Sequence, residues 1–220
     1  IINYLVDQDK MVTNKINKVL SIFIKGVNAL CTIVKTKSLL GIAQLINNRK
    51  LPVENINDIL HLLLENTSGA YGVRKNALWA LGQLVRLYDV PLEETNTVIL
   101  ALIVSAKDSK ESIRQIALSG IIAVVEKNEL PTIKTEEILD FLLERLNLES
   151  CNISRIKVVV AVKKIVARGI VPDNKAEAIL SIFITLRKEG QFSYEGITES
   201  ENEEVQGIID GSTIDNLKAR

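Results

Sequence analysis

Residues 48–60 read NRKLPVENINDIL. Pro52 stands just ahead of a run in which Ile59, Leu60, Leu63 and Leu64 fall seven, eight, eleven and twelve positions later. Those intervals put four aliphatic side chains on one face of a helix. A proline suits such a start, because the first turn has no N–H partner to lose. The chain has four prolines, and the other three repeat the arrangement. Pro91 leads to Val98, Ile99, Leu102 and Ile103; Pro131 to Ile138, Leu139, Leu142 and Leu143; Pro172 to Ile179, Leu180, Phe183 and Ile184. The prolines are 39, 40 and 41 residues apart. Val12 holds the place of a fifth, followed at the same offsets by Val19, Leu20, Phe23 and Ile24. Each mark opens an amphipathic helix, termed A, predicted over 13–25, 53–66, 92–106, 133–147 and 173–188.

A second helix, B, precedes each proline. Eleven residues upstream stand Gly41, Ala80, Gly120 and Ala161, all small. Around them recur aliphatic positions, Ile42, Leu81, Ile121 and Val162 at minus ten and Leu45, Leu84, Val124 and Ile165 at minus seven. The predicted B helices cover 30–47, 72–87, 112–127 and 153–168. The small row is read as a close helix crossing, where a larger side chain would overpack. A two-helix unit of this size cannot bury its apolar face alone; stacking neighbours does it. The opening stretch is therefore the joint between one helical hairpin and the next. The repeat accounts for residues 1–190, with joints near 12, 52, 91, 131 and 172. IINYLVDQ (1–8) fits the tail of another B helix, so the expectation is that the sequence begins inside a repeat.

Composition agrees. Apolar residues make up 47% of the 220 residues and aromatics 4%, so the core is aliphatic, as helix packing favours. Basic and acidic side chains balance at 27 each, which argues against nucleic acid as the partner, since phosphate neutralisation supplies most of such affinity. No stretch approaches 18 uninterrupted apolar residues, so no membrane span is expected. Cys31 and Cys151 have no metal-ligand spacing and are read as packing thiols of a reduced, intracellular protein, cytoplasmic or nuclear.

VRKNALWALGQLV (73–85) and IRQIALSGIIAVV (113–125) resemble the second helix of a HEAT repeat, which begins Val-Arg and continues with Ala-Leu and small residues. SRIKVVVAVKKIV (154–166) and VKTKSLLGIAQLI (34–46) are weaker copies. The aspartate that often precedes the Val-Arg pair is not found. ALWALGQL is also similar to the peptide-gripping helix of armadillo repeats, with Trp79 at the tryptophan and Gln83 in place of the asparagine; the corresponding pairs Leu40/Gln44, Ser119/Ala123 and Val160/Lys164 break that motif. The resemblance implies an all-α, right-handed solenoid of four to five HEAT-like hairpins. It also implies that B helices line the inner, concave face.

Two rows on helix B are candidate functional positions. Lys35, Arg74, Arg114 and Arg155, seventeen before each proline, flank the core stripe and read as a ladder bonding neighbouring repeats, or as a basic strip. Leu40, Trp79, Ser119 and Val160, twelve before, lie on the side away from the core. Three apolar residues of four, including the only Trp, suggest a groove for a partner's peptide or helix, with Gln44, Gln83 and Arg86 beside Trp79; the alternative is that Trp79 covers a neighbouring helix. Helix B at 153–168 is apolar most of the way round, so something should cover Ile156 and Val160: a partner, or the segment after 190. That segment, 191–220, has lost the repeat and is rich in Glu, and reads as an acidic tail or a cap in which Phe192, Tyr194, Ile208 and Ile209 fold back.

Catalytic constellations are missing. His61, the only histidine, is read as a surface or boundary residue of a helix A. No phosphate-cradling glycine loop or metal spacing occurs, so no catalytic residue, cofactor or metal is assigned. Glu93–Glu94 and Glu136–Glu137 are placed in first turns of A helices, complementing the helix dipole. The function expected is a non-enzymatic protein-binding scaffold or a structural segment of a larger assembly. A nucleic-acid-associated or enzyme-regulatory repeat domain is the alternative.

Overall fold

A computed structural model describes residues 13–127, 132–148, 152–167, 171 and 175–181, and among these no strand occurs. The chain packs as two compact units, one ending at Lys127 and one beginning at Asn128. The first holds α1 (Thr13–Val27), α2 (Thr32–Asn47), a short 3-10 turn (Val53–Asn55) running into α3 (Ile56–Glu65), α4 (Tyr71–Leu87), α5 (Leu92–Ser105) and α6 (Glu111–Lys127). The second holds α7 (Thr132–Leu148), α8 (Asn152–Ala167) and helical residues 175–181. Odd-numbered helices are the A helices and even-numbered ones the B helices, with ends within about three residues of those read from the sequence. Residues 1–12 and 182–220 lie outside the described residues, and with them the degenerate first mark and the acidic segment.

The joints work as the prolines imply. Pro52 and Pro91 occupy N-cap positions in extended conformation, at φ −63°, ψ 138° and φ −54°, ψ 144°. Just upstream, α2 ends in a Schellman motif: Lys50 N–H donates to Leu45 O at 2.8 Å and Arg49 N–H to Ile46 O at 2.9 Å. The geometry forces Arg49 into the left-handed region at φ 54°, where a side chain is strained. A sharp C-terminal stop, one buried Leu51 and a proline N-cap thus turn the chain from helix B to helix A in five residues.

Each A helix packs on the B helix that follows it: α1 on α2, α3 on α4, α5 on α6 and α7 on α8. In α3, α5 and α7 the offsets seven, eight and eleven reach the core, with Ile59, Leu60, Leu63, Val98, Leu102, Ile138, Leu139 and Leu142 fully buried. The small row explains how the hairpin closes. A methyl group on Gly41 would lie 2.3 Å from Phe23 Cζ, and one on Gly120 2.7 Å from a Leu102 methyl. Phe23 and Leu102 both stand eleven residues after their joint. The small B residue therefore makes a seat for the large A residue of its own hairpin.

Two local expectations are corrected. Cys31 does not pack: it is exposed at the N-cap of α2, in extended conformation. Cys151 lies outside the described residues. Glu93 and Glu94 do occupy the first turn of α5, but Glu136 and Glu137 fall one turn into α7, whose first turn is Thr132–Thr135 and carries no acid.

Candidate functional site

In the first unit the B helices stack directly, α2 along α4 and α4 along α6. Between α4 and α6 glycine meets glycine: a methyl group on Gly82 would lie 3.3 Å from Gly120 Cα. Polar latches fix the stacking at both ends of the helices. Near the B-helix starts, Asn76 Nδ2 donates to Thr36 O at 2.8 Å, and Tyr71 Oη lies 2.9 Å from Ser112 Oγ. At the joints, Leu51 N–H donates to Tyr88 Oη at 2.9 Å, and Lys127 Nζ donates to Tyr88 O while pairing with Asp89 at 3.0 Å. Burial pushes the Tyr88 phenol above its ordinary pKa, only partly offset by the Leu51 N–H and the Arg49 charge.

Across this layer run the positions singled out from the sequence. Leu40 and Gln44 lie one turn apart on α2, and Trp79 and Gln83 hold the same repeat positions on α4; all four are half-buried. The Gln44 Oε1 is buried without a hydrogen-bond partner. Gln83 Oε1 accepts from Arg86 Nη2, and Arg86 is otherwise exposed. Ser119, on α6, is exposed and turns its hydroxyl back to Gln115 O at 2.9 Å. Ile156 and Val160 do not belong with these. They are 2% and 4% exposed, buried by the chain itself, and so are withdrawn as partner contacts.

The basic row is not uniform. Arg74 pairs with Asp108 Oδ2 at 2.9 Å and donates to Gly69 O at 3.1 Å. Arg114 donates to Asp108 O at 3.1 Å, and Asp108 Oδ1 accepts from Lys110 N–H at 2.8 Å at the start of α6. Asp108 thus joins two arginines of successive repeats while closing a turn; it is an aspartate upstream of the Ile-Arg pair after all. Lys35 is half-exposed, and Arg155 keeps its Nε buried without a partner.

Charge separates by helix despite the overall balance. α2 carries Lys35 and Lys37, and α4 carries Arg74, Lys75 and Arg86; neither contains an Asp or Glu. In the second unit, α8 carries Arg155, Lys157, Lys163 and Lys164, again without an acid. The A helices differ among themselves: α1 carries Lys15, Lys18 and Lys25 and no acid, α7 mixes signs, and the two between them are acidic. Residues 53–65 hold Glu54, Asp58 and Glu65, and α5 holds Glu93 and Glu94, with no Lys or Arg in either. Only α6, with Glu111 and Glu126, mixes signs among these B helices.

A concavity opens on the A side. It has a volume near 560 Å³, is floored by Leu64, Leu100, Ala101 and Val104, and is closed at one end by the Arg74–Asp108 pair. Leu100 and Val104, one turn apart, are 51% and 72% exposed. They were legible as apolar residues off the core stripe of α5, but were passed over. Among the described residues no group of His, Cys, Asp and Glu is placed to hold a metal. His61 is exposed, with Nε2 3.6 Å from Glu94. No described helix is long and apolar enough to cross a membrane.

No family model and no curated protein sequence matches the chain. Solved structures do. A designed armadillo repeat protein in complex with the peptide (KR)4 superposes with a TM-score of 0.64 at 15% identity, over 97% of this chain and 90% of its own. The fold is a HEAT/armadillo-like α-solenoid. An engineered protein solved by the Northeast Structural Genomics Consortium gives a TM-score of 0.65 at 14% identity, over 99% of this chain and 89% of its own. A second engineered protein from the same consortium gives 0.61 at 16%, over 90% of this chain; this chain spans 47% of that one's length. In the solenoid's terms, the B helices of the first unit are the helices that stack on their counterparts in the next repeat, and each A helix is the one that packs on the B helix of its own hairpin.

Proposed function

We propose that the chain is a non-enzymatic binding scaffold whose B-helix face grips a peptide or helix of another protein. One juxtaposition carries this reading: Leu40 and Gln44 on α2 stand in register with Trp79 and Gln83 on α4, on helices that stack directly. An apolar side chain followed one turn later by an amide offers a pocket wall and a hydrogen bond at each repeat. That pairing suits an extended or helical segment, where anchors give affinity and backbone amides give register. The structural neighbour solved with a peptide supports a recognition role for this fold. Gln44, whose buried Oε1 has no hydrogen-bond partner, would turn its carboxamide outward to accept a partner's N–H. In this reading Lys35, Arg74, Arg114 and Arg155 are structural, and Ser119 and Arg86 edge the groove.

Selection of binding peptides from a random display library tests it. Peptides enriched on the wild-type chain should lose binding to Trp79→Ala and Leu40→Ala and keep it for Leu100→Ser, which alters the A side. Melting temperatures should match across the set. Binding lost only in Leu100→Ser would move the site to the A-side concavity.

A further inference from the structure

The groove's geometry leaves the charge of its occupant open, but the helices that form it do not. We infer that the B-helix face of the first unit takes an acidic segment, a run of Asp and Glu around one apolar anchor; this rests on the B-face reading above. Lys37 and Lys75 are exposed and enter no ion pair among the described residues, where Arg86 bonds only the neighbouring Gln83. They bracket the Leu40–Trp79 row: Lys37 and Lys75 precede it by about one turn, and Arg86 follows Trp79 by about two. No carboxylate stands on α2 or α4: the acids among the first unit's described residues lie at 54–65, on α5 and α6, and in the joints, where Asp89 and Asp108 are engaged with Lys127 and Arg74. A cationic frame around an apolar centre attracts carboxylates and repels Lys and Arg at the same spacing.

The same residues weigh against a nucleic acid. Three cations without a carboxylate partner among the described residues fall short of the roughly six to ten phosphate contacts that give a strongly salt-dependent complex.

The test uses the full chain and Trp79, its only tryptophan, as the reporter. Four probes are titrated: a peptide of alternating Asp and Glu around a central Leu, its Lys/Arg twin, its Ser/Gly twin, and oligo-dT. The inference expects the acidic peptide to shift Trp79 emission and bind best. Lys75→Glu/Arg86→Glu should weaken it about tenfold or more, with Lys75→Gln/Arg86→Gln showing a smaller loss in the same direction. Equal or tighter binding of the Lys/Arg or Ser/Gly twin overturns the acidic assignment and leaves the B-face reading standing. Tighter binding of oligo-dT, weakening steeply with salt, overturns it in favour of nucleic acid. No response to any probe overturns both readings together.

Discussion

Tyr88 ties three joints together, and no other repeat has its equivalent. Its hydroxyl accepts from Leu51 N–H at one joint, and its carbonyl accepts from Lys127 near the next. In the other repeats its position is filled by Arg49, Asn128 and Gly169, so no periodic signal marks it in the sequence. Tyr88→Phe would leave the N–H of buried Leu51 without an acceptor, and should cost about 1–3 kcal/mol in urea unfolding at pH 7. The sign of its pH dependence follows from burial. The folded phenol titrates above the ordinary value of 10.0, so its contribution is full below that pH and is lost as pH rises through the raised folded value. The wild-type chain should therefore lose more stability in that alkaline range than Tyr88→Phe does. Cys31 gives the opposite lesson. It looked like a core thiol by composition, yet it caps α2, where the amides of Val34 and Ile33 hold its pKa below the ordinary 9.0. Iodoacetamide should label it in the native state, with a rate-versus-pH midpoint below that of a free thiol.

At the scale of the helix, the sequence was most legible where repetition forced one answer. Proline, aliphatic offsets and small residues recur because every hairpin solves the same packing problem. The element ends could therefore be read closely, and Gly41 and Gly120 found their roles. Glu136 and Glu137 misled because they stand three residues further from their proline than Glu93 and Glu94 do from theirs. Two substitutions should act in opposite directions here. Gly41→Val drives a branched side chain into the buried Phe23 ring and should destabilise by about 1–3 kcal/mol, read from urea midpoints. Arg49→Gly relieves a side chain held at φ 54° in the Schellman turn and should stabilise by about 1 kcal/mol, read the same way.

For the molecule as a whole, a total charge of zero conceals a division of labour that no sum could reveal. It is visible only helix by helix: α1, α2, α4 and α8 carry basic residues and no acid, while residues 53–65 and α5 carry acids and no Lys or Arg. The candidate groove was half legible: Leu40, Gln44, Trp79 and Gln83 share a face because the repeat puts them there. Ile156 and Val160 obey the same arithmetic but are covered, since burial depends on what lies opposite, which one helix's sequence does not encode. The charge division has its own consequence. At low ionic strength the protein should be retained on both sulfonate and quaternary-amine resins. Lys37→Gln/Lys75→Gln/Arg86→Gln should elute earlier from the first and no earlier from the second.

The latches of the first unit also set how it would yield to force. The hydrogen bonds that bind one repeat to the next join residues 37, 39, 40 or 41 positions apart. Tension on its ends would then meet a row of similar fasteners, each undone without loosening those beyond it. Every release would free one hairpin's length of slack, roughly 130–140 Å of extended chain, so that the unit would lengthen in a staircase rather than a single rupture.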